Sequence, residues 1–461
     1  MVRRRENVSG CVASVAAVVR RLQAHAAHGA LACGGAIVLG AEWARGGATG
    51  GAPPGWLTVE IVAMGAALLV AWREQAQLRL APLLAITATV GLGAVLVHHV
   101  VGTPGDTDGA VYASQGSLLL DGDYPRSEYP VGAVVLFGVD ALLGRESVRA
   151  THGVLMVCFH LVAVFAIWHV RSHWSAWLAA LYALWPAVLY FVEMRFDVLV
   201  VALLLLGLLS AREERWIVAG ALFGAATAVK WSPALACMLL ITWLLVSQRP
   251  REAIRHGASF VVVFVAINIP FLVWQAGDVL AAYTKQSTRG IVAESLPYLP
   301  LRLAGLAEPG PSGQFQDPAV VPAWADATAV VVQVLLVLTV VAVVVCSRTS
   351  LDGAIAGAGL LPAVFLLTNR VFSPQFALVA FAAWTFAIAL LARSRAEQLG
   401  LGTAAAVATY ANAMIMPGFV ASWAGWSGLY FAVSVALTGW LLTAVALRTT
   451  NRAVAGGRSA A

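Results

Sequence analysis

The chain has 461 residues, 60% hydrophobic and 11% charged, where a soluble domain carries about 25% charged residues. Its apolar runs reach about 18 residues or more, long enough to cross a hydrocarbon core, which excludes an ordinary soluble enzyme and predicts an all-α polytopic membrane protein. The net charge of +6 does not indicate nucleic acid, because the arginines recur in short clusters between apolar runs, as in cytoplasmic loops beside anionic lipid.

In chain order, residues 1–27 are expected to be an uncleaved cytoplasmic tail, since Arg20-Arg21 follow the first apolar stretch without a small-residue cleavage site. Apolar segments follow at 28–43, 56–72 and 80–101, then after a polar gap at 148–170, 174–191, 196–210, 216–229 and 233–246. The remainder lie at 257–274, 327–346, 351–367, 374–391, 399–416 and 426–447. They predict a bundle of about 12–14 transmembrane helices over 28–447. Residues 448–461, rich in Ala and Gly, are expected to be a disordered cytoplasmic tail. The five cysteines lie in or beside apolar segments without CxxC spacing and are expected to be structural thiols.

Arg73/Arg79, Arg171, Arg212/Arg215, Arg249/Arg251/Arg255, Arg348, Arg393/Arg395 and Arg448/Arg452 fall in alternate connections. Placing them all in the cytoplasm puts both termini inside and the opposite connections outside. Two outer connections are long, at 102–147 and 275–326. In the first, 131–143 is expected to form a re-entrant or interfacial helix containing Asp140.

The first outer loop gathers Asp106, Asp108, Asp121, Asp123 and Glu128 in a chain with only 23 acids. Asp108 and Tyr112, four apart, would share one face of a helical turn. Tyr124-Pro125 and Tyr129-Pro130 are rigid aromatic turns able to pin the loop at the membrane surface. An acid held there could take a proton from a hydroxyl nucleophile.

Cations stand at the outer ends of later spans. Arg195 and Asp197 open one helix, Lys230 closes another, and Asn369-Arg370 separate two more. Lys285, Arg289 and Glu294 lie in the second outer loop. Charges at membrane depth are costly and default to functional hypotheses; several cations at one level, facing acids, suit a phosphate-binding mouth. There is no P-loop, no Gly-rich dinucleotide turn, no HExxH and no serine triad. His98-His99 stand at the end of a span before the acidic loop, more in keeping with a helix-end polar pair than with metal ligands.

Four short motifs in order resemble glycosyltransferase family 87, integral membrane enzymes of the GT-C fold that use polyprenyl-phosphate sugars. They are Asp108-x3-Tyr112 with Gly122, Tyr124-Pro125 and Glu128-Tyr129-Pro130; Arg195-Phe196-Asp197 with Gly220, Gly224, Lys230 and Pro233; Arg289-Gly290 with Glu294-Ser295; and Ser373-Pro374-Gln375-Phe376. The resemblance implies an inverting, cofactor-free and metal-free transfer of a sugar, mannose being the usual one, from polyprenyl phosphate to a lipid-linked or envelope glycan. The reaction would take place on the outer face of the plasma membrane.

Asp108 matches the family's catalytic aspartate, with Asp106 as alternative. Lys230, Arg289, Arg370 and Arg195 would meet the donor phosphate, with Arg195 paired to Asp197. Tyr112, Glu128, Tyr129, Asp197, Glu294 and Gln375 would support the site or bind acceptor. Two positions depart from the family pattern. Val131 replaces a frequent second proline, and Gln286 stands where many members carry histidine, whose role could fall to His98 or His99. The competing readings are a transporter or flippase of lipid-linked sugars, and an inactive scaffold of an envelope-synthesis complex.

Overall fold

Within an apolar medium a helix satisfies its own backbone amides, and the long Leu-, Val- and Ala-rich runs fold accordingly. The computed structural model describes residues 25–41, 54–101, 108–144, 147–170, 175–192, 194–311, 317–347, 349–415 and 423–447. The first helices are α1 (His25–Ala41), α2 (Pro54–Arg73), α3 (Leu80–Val101), α4 (Asp108–Leu120), α5 (Val131–Leu143) and α6 (Val148–His169). Next come α7 (Ala176–Leu184), α8 (Pro186–Val192), α9 (Asp197–Arg212), α10 (Trp216–Val229), α11 (Pro233–Val246) and α12 (Pro250–Thr288). The last are α13 (Tyr298–Leu303), α14 (Ala325–Cys346), α15 (Leu351–Leu367), α16 (Ala377–Leu391), α17 (Arg395–Ala413) and α18 (Trp423–Leu447).

The fold is that of an all-α polytopic membrane protein. Among the described residues, six helical segments are long and apolar enough to cross a membrane: α3, α6, α12, α14, the stretch Pro374–Leu391 that contains α16, and α18. Helices α1, α5, α10, α11 and α15 are apolar but shorter. Of the expected tail 1–27, residues 25–27 belong to α1; residues 1–24, the expected tail 448–461, Arg171 and Arg348 lie outside the described residues.

Two expected segments are rearranged. The run 174–191 is broken at Pro186, which cannot donate a helical hydrogen bond and instead starts α8. The segment expected to end at Trp274 continues through α12, but the helix kinks there, with non-helical angles at Gln275 (φ −143°, ψ 58°).

Helices α7 and α16 are buried along their whole length. Trp384 of α16 donates its indole N–H to the Thr438 hydroxyl at 3.0 Å, so even this polar atom is satisfied inside the core. By contrast, α12 and α14 keep most of their apolar surface outward, as helices facing lipid do. Small residues set the close crossings. A Cβ at Gly220 or Gly224 of α10 would fall 2.1 Å from the His256 carbonyl oxygen or 2.5 Å from that of Phe260 on α12.

Among the described residues, the ion pairs gather mainly at two places. At one of them Arg212 reaches Asp352 at 3.0 Å, and Arg249 pairs with Glu214 and Glu252. The ends of α8, α10, α12 and α15 and the starts of α4, α5, α9 and α14 carry the other charged set.

Candidate active site

The stretch expected to be the first outer loop folds, over residues 108–143, as a helical hairpin of α4 and α5. Gly116 makes it possible, because a Cβ there would lie 2.1 Å from the Phe137 carbonyl oxygen. Asp108 is the first residue of α4, and Tyr112, one turn on, is 1% exposed. Tyr112 stacks on Phe137 with ring centroids 4.3 Å apart, and Tyr129 meets both rings edge-on at 5.8 and 5.6 Å. Phe196 closes this aromatic box, 5.3 Å from Tyr129. The Asp106 alternative lies outside the described residues.

With Phe196 inserted in the box, its neighbours diverge. Arg195 pairs with Asp108, and Asp197 pairs with Lys230. The expected Arg195–Asp197 pair is therefore replaced by two cross-element pairs, each joining a cation to an acid of another segment. Residues two apart do not face each other on a helix, and here the first of them precedes α9 in a turn.

Lys230 caps α10 in extended conformation. Its ammonium lies 3.9 Å above the Phe376 ring and 5.7 Å from Phe196, within the range of cation–π attraction. Phe376 ends the Ser-Pro-Gln-Phe turn, which is anchored from α17: Asn412 Nδ2 donates to the Pro374 carbonyl at 2.8 Å. The Ser373 hydroxyl donates to the Gln375 side-chain oxygen. Gly132 brings the start of α5 onto the end of α10, where a Cβ would lie 2.7 Å from the Ala228 carbonyl carbon. Burial, reinforced by Glu128 and Asp197, pushes the Tyr129 hydroxyl well above the ordinary tyrosine range; it stays protonated.

The connection after α12 is tied to the one that precedes α5. Glu128 pairs with Lys285 at 3.3 Å and lies 3.8 Å from Arg289. Arg370 pairs with Asp326 at 3.5 Å, and the same carboxylate oxygen accepts the Ile291 backbone N–H at 3.0 Å. The Val292 N–H in turn donates to the Arg370 carbonyl at 2.9 Å. Glu294 is buried in this loop, next to Ser295, whose hydroxyl donates to the Val292 carbonyl.

Asp108, Tyr112, Glu128, Tyr129, Arg195, Asp197, Lys230 and Arg289 thus form one connected cluster. Arg370 joins it through the backbone at Val292, and Gln375 through the turn that carries Phe376. His98 and His99 line a small cavity with Arg149 and Met194, the residue before Arg195. Among the described residues no group of three or more His, Cys, Asp and Glu side chains is arranged for a metal ion.

Three contributors were not singled out from sequence: Asn412, Asp326 as a partner for Arg370, and the buried His152, whose Nδ1 lies 2.7 Å from Asp140. Position alone could have suggested Asp326, at the start of an apolar run where the connection carrying Lys285 and Arg289 ends. Nothing local marks Asn412.

The chain is thus a polytopic helical membrane protein that gathers paired ions and aromatic rings into one cluster. The model of glycosyltransferase family 87 matches residues 128–368, more than half of the chain, and the chain belongs to that family. The matched segment contains Glu128, Tyr129, Arg195, Asp197, Lys230, Arg289 and Glu294; Asp108, Tyr112, Arg370 and Gln375 flank it. No curated protein and no solved structure matches the chain.

Proposed function

We propose that this glycosyltransferase takes its sugar, mannose in the first instance, from a polyprenyl-phosphate donor. It would pass the sugar with inversion to a hydroxyl of a lipid-linked or envelope glycan on the outer side of the plasma membrane. The 28–447 segment is the catalytic domain in this reading. The observation that carries it is the ordering of charge at one end of the bundle: a carboxylate at Asp108 on one side of Phe196, and Lys230 on the other.

Asp108 is the base. Arg195 engages its Oδ2, which orients the carboxylate and leaves Oδ1 for the acceptor hydroxyl. As that hydroxyl loses its proton to Asp108, its oxygen bonds to the anomeric carbon and the bond from that carbon to the phosphate oxygen breaks. Negative charge grows on the departing polyprenyl phosphate, and preorganised cations stabilise it best where water is excluded. Lys230, Arg289 and Arg370 take that part, each already paired with an acid: Asp197, Glu128 (shared with Lys285) and Asp326. An ion pair that shares its cation with an incoming phosphate avoids leaving a bare buried charge in the empty site. Tyr129, kept protonated, can donate to the sugar or the phosphate.

The test is donor choice. Purified protein, supplied separately with radiolabelled polyprenyl-phosphate mannose, polyprenyl-phosphate arabinose and nucleotide sugars, should consume a lipid-linked donor and ignore the nucleotide sugars. Consumption of a nucleotide sugar alone would overturn the reading.

A further inference from the structure

A groove of about 400 Å³ lies between the α4–α5 hairpin and the last turns of α12, beyond the Gln275 kink. That is within the span of small-molecule sites, roughly 300–1,000 Å³. One wall is Arg126 and Ser127; the other is Asp278, Ala281, Thr284, Lys285 and Thr288. The α12 residues recur at three- and four-residue steps, so they share one helical face, and the small Ala281 leaves the middle open.

The lining favours a neutral polyol over an anion. Its two cations are already matched, Arg126 with Asp278 at 3.4 Å across the groove and Lys285 with Glu128 at 3.3 Å. The hydroxyls are set as acceptors. Thr288 donates to the Lys285 carbonyl at 2.9 Å, Thr284 to the Leu280 carbonyl at 3.2 Å, and Ser127 to Gln115 at 2.8 Å. A hydroxyl that donates can still accept; Ser127 already accepts the Tyr129 backbone N–H at 2.9 Å, so the exposed Thr284 and Thr288 and the Asp278 carboxylate are what a ligand bringing many O–H donors would meet. The Arg126–Asp278 pair is exposed on the arginine side, so it contributes little in water and a ligand can displace it readily. Lys285 also touches Glu128, which makes the groove continuous with the ion-pair cluster of the active site.

We propose that this groove is the acceptor subsite and holds the carbohydrate of the acceptor glycan by its hydroxyls, with Asp278 and Thr284 as principal contacts. The inference rests on the transferase reading above and adds where the second substrate lies.

The experiment is binding of the detergent-purified protein to an array of alkyl-linked di- and trisaccharides of mannose, arabinose, glucose and galactose. Asp278→Asn and Thr284→Val keep shape while removing charge or hydroxyl, and Thr242→Val, at the opposite end of the bundle, is the control. Expected is retention of at least one sugar class by wild type and the control, with at least tenfold weaker binding in both groove variants. Retention unchanged in both variants, or no retention by wild type, would overturn the subsite. Turnover of polyprenyl-phosphate sugar by the same wild-type preparation separates the two failures. Turnover with unchanged binding in the variants sinks the groove alone, whereas absence of turnover sinks the transferase reading beneath it.

Discussion

At the scale of single residues, the site depends on which acid each cation meets. Lys230 sits between a carboxylate that is fully buried and the face of Phe376, a setting shaped for a compact ammonium. Lys230→Gln should lower kcat/KM by about 10²–10³-fold, the usual effect of losing one transition-state donor. Lys230→Arg should recover little of it, because a planar fork does not replace a point charge in that space. Steady-state kinetics with labelled lipid donor would decide; an arginine variant at wild-type rate would show that only charge matters there. Asp108 with Tyr112 was legible because four-residue spacing on a short helical stretch fixes a shared face. The partner of Arg195 was not, because sequence neighbours look like natural partners. Only the insertion of Phe196 into the Tyr112–Phe137 box sends Arg195 and Asp197 apart.

At the scale of elements, glycines decide how closely the hairpin and the bundle approach. Gly116→Ala would press a methyl into the Phe137 backbone oxygen, which no side-chain rotation relieves, and should cost about 1–3 kcal/mol. Gly122, with φ of +89° but open space around it, should cost about 1–2 kcal/mol as alanine through backbone strain alone. Thermal unfolding in detergent should therefore find both variants less stable than wild type. Transfer activity should fall mainly with Gly116→Ala, which displaces α4 and with it Asp108. A Gly116→Ala protein with wild-type melting and activity would contradict the packing described. Helix boundaries divide on the same physical lines. The end of the apolar run at Trp274 coincides with the kink of α12, since hydropathy and helix geometry change together there. The uniform composition of 174–191 reads as one span, although Pro186 is the visible sign of the break.

At the scale of the whole molecule, the gathering of ion pairs at two places makes orientation testable. The arginine-bearing connections at Arg212 and Arg249 belong to one and the site to the other, and the proposed topology puts the site outside. Arg126→Cys, fully accessible on the first outer loop, should react with a membrane-impermeant maleimide in intact cells. Glu213→Cys should react only after permeabilisation. The reverse pattern would place the chemistry in the cytoplasm. Class and helical architecture were legible from composition, because the bilayer permits few solutions. The linkage through Glu128 of the connections after α12 and before α5, and the anchoring of the Ser-Pro-Gln-Phe turn by Asn412, were not. They join residues more than 30 positions apart, and no local pattern reports such a meeting.

The central claim is that Asp108 is the base for sugar transfer. Its most direct test compares wild type with Asp108→Asn in membranes given radiolabelled polyprenyl-phosphate mannose, with expression and thermal stability measured alongside. The account predicts that transfer to glycan is lost while the variant remains folded and still binds donor. Full transfer by Asp108→Asn would contradict it.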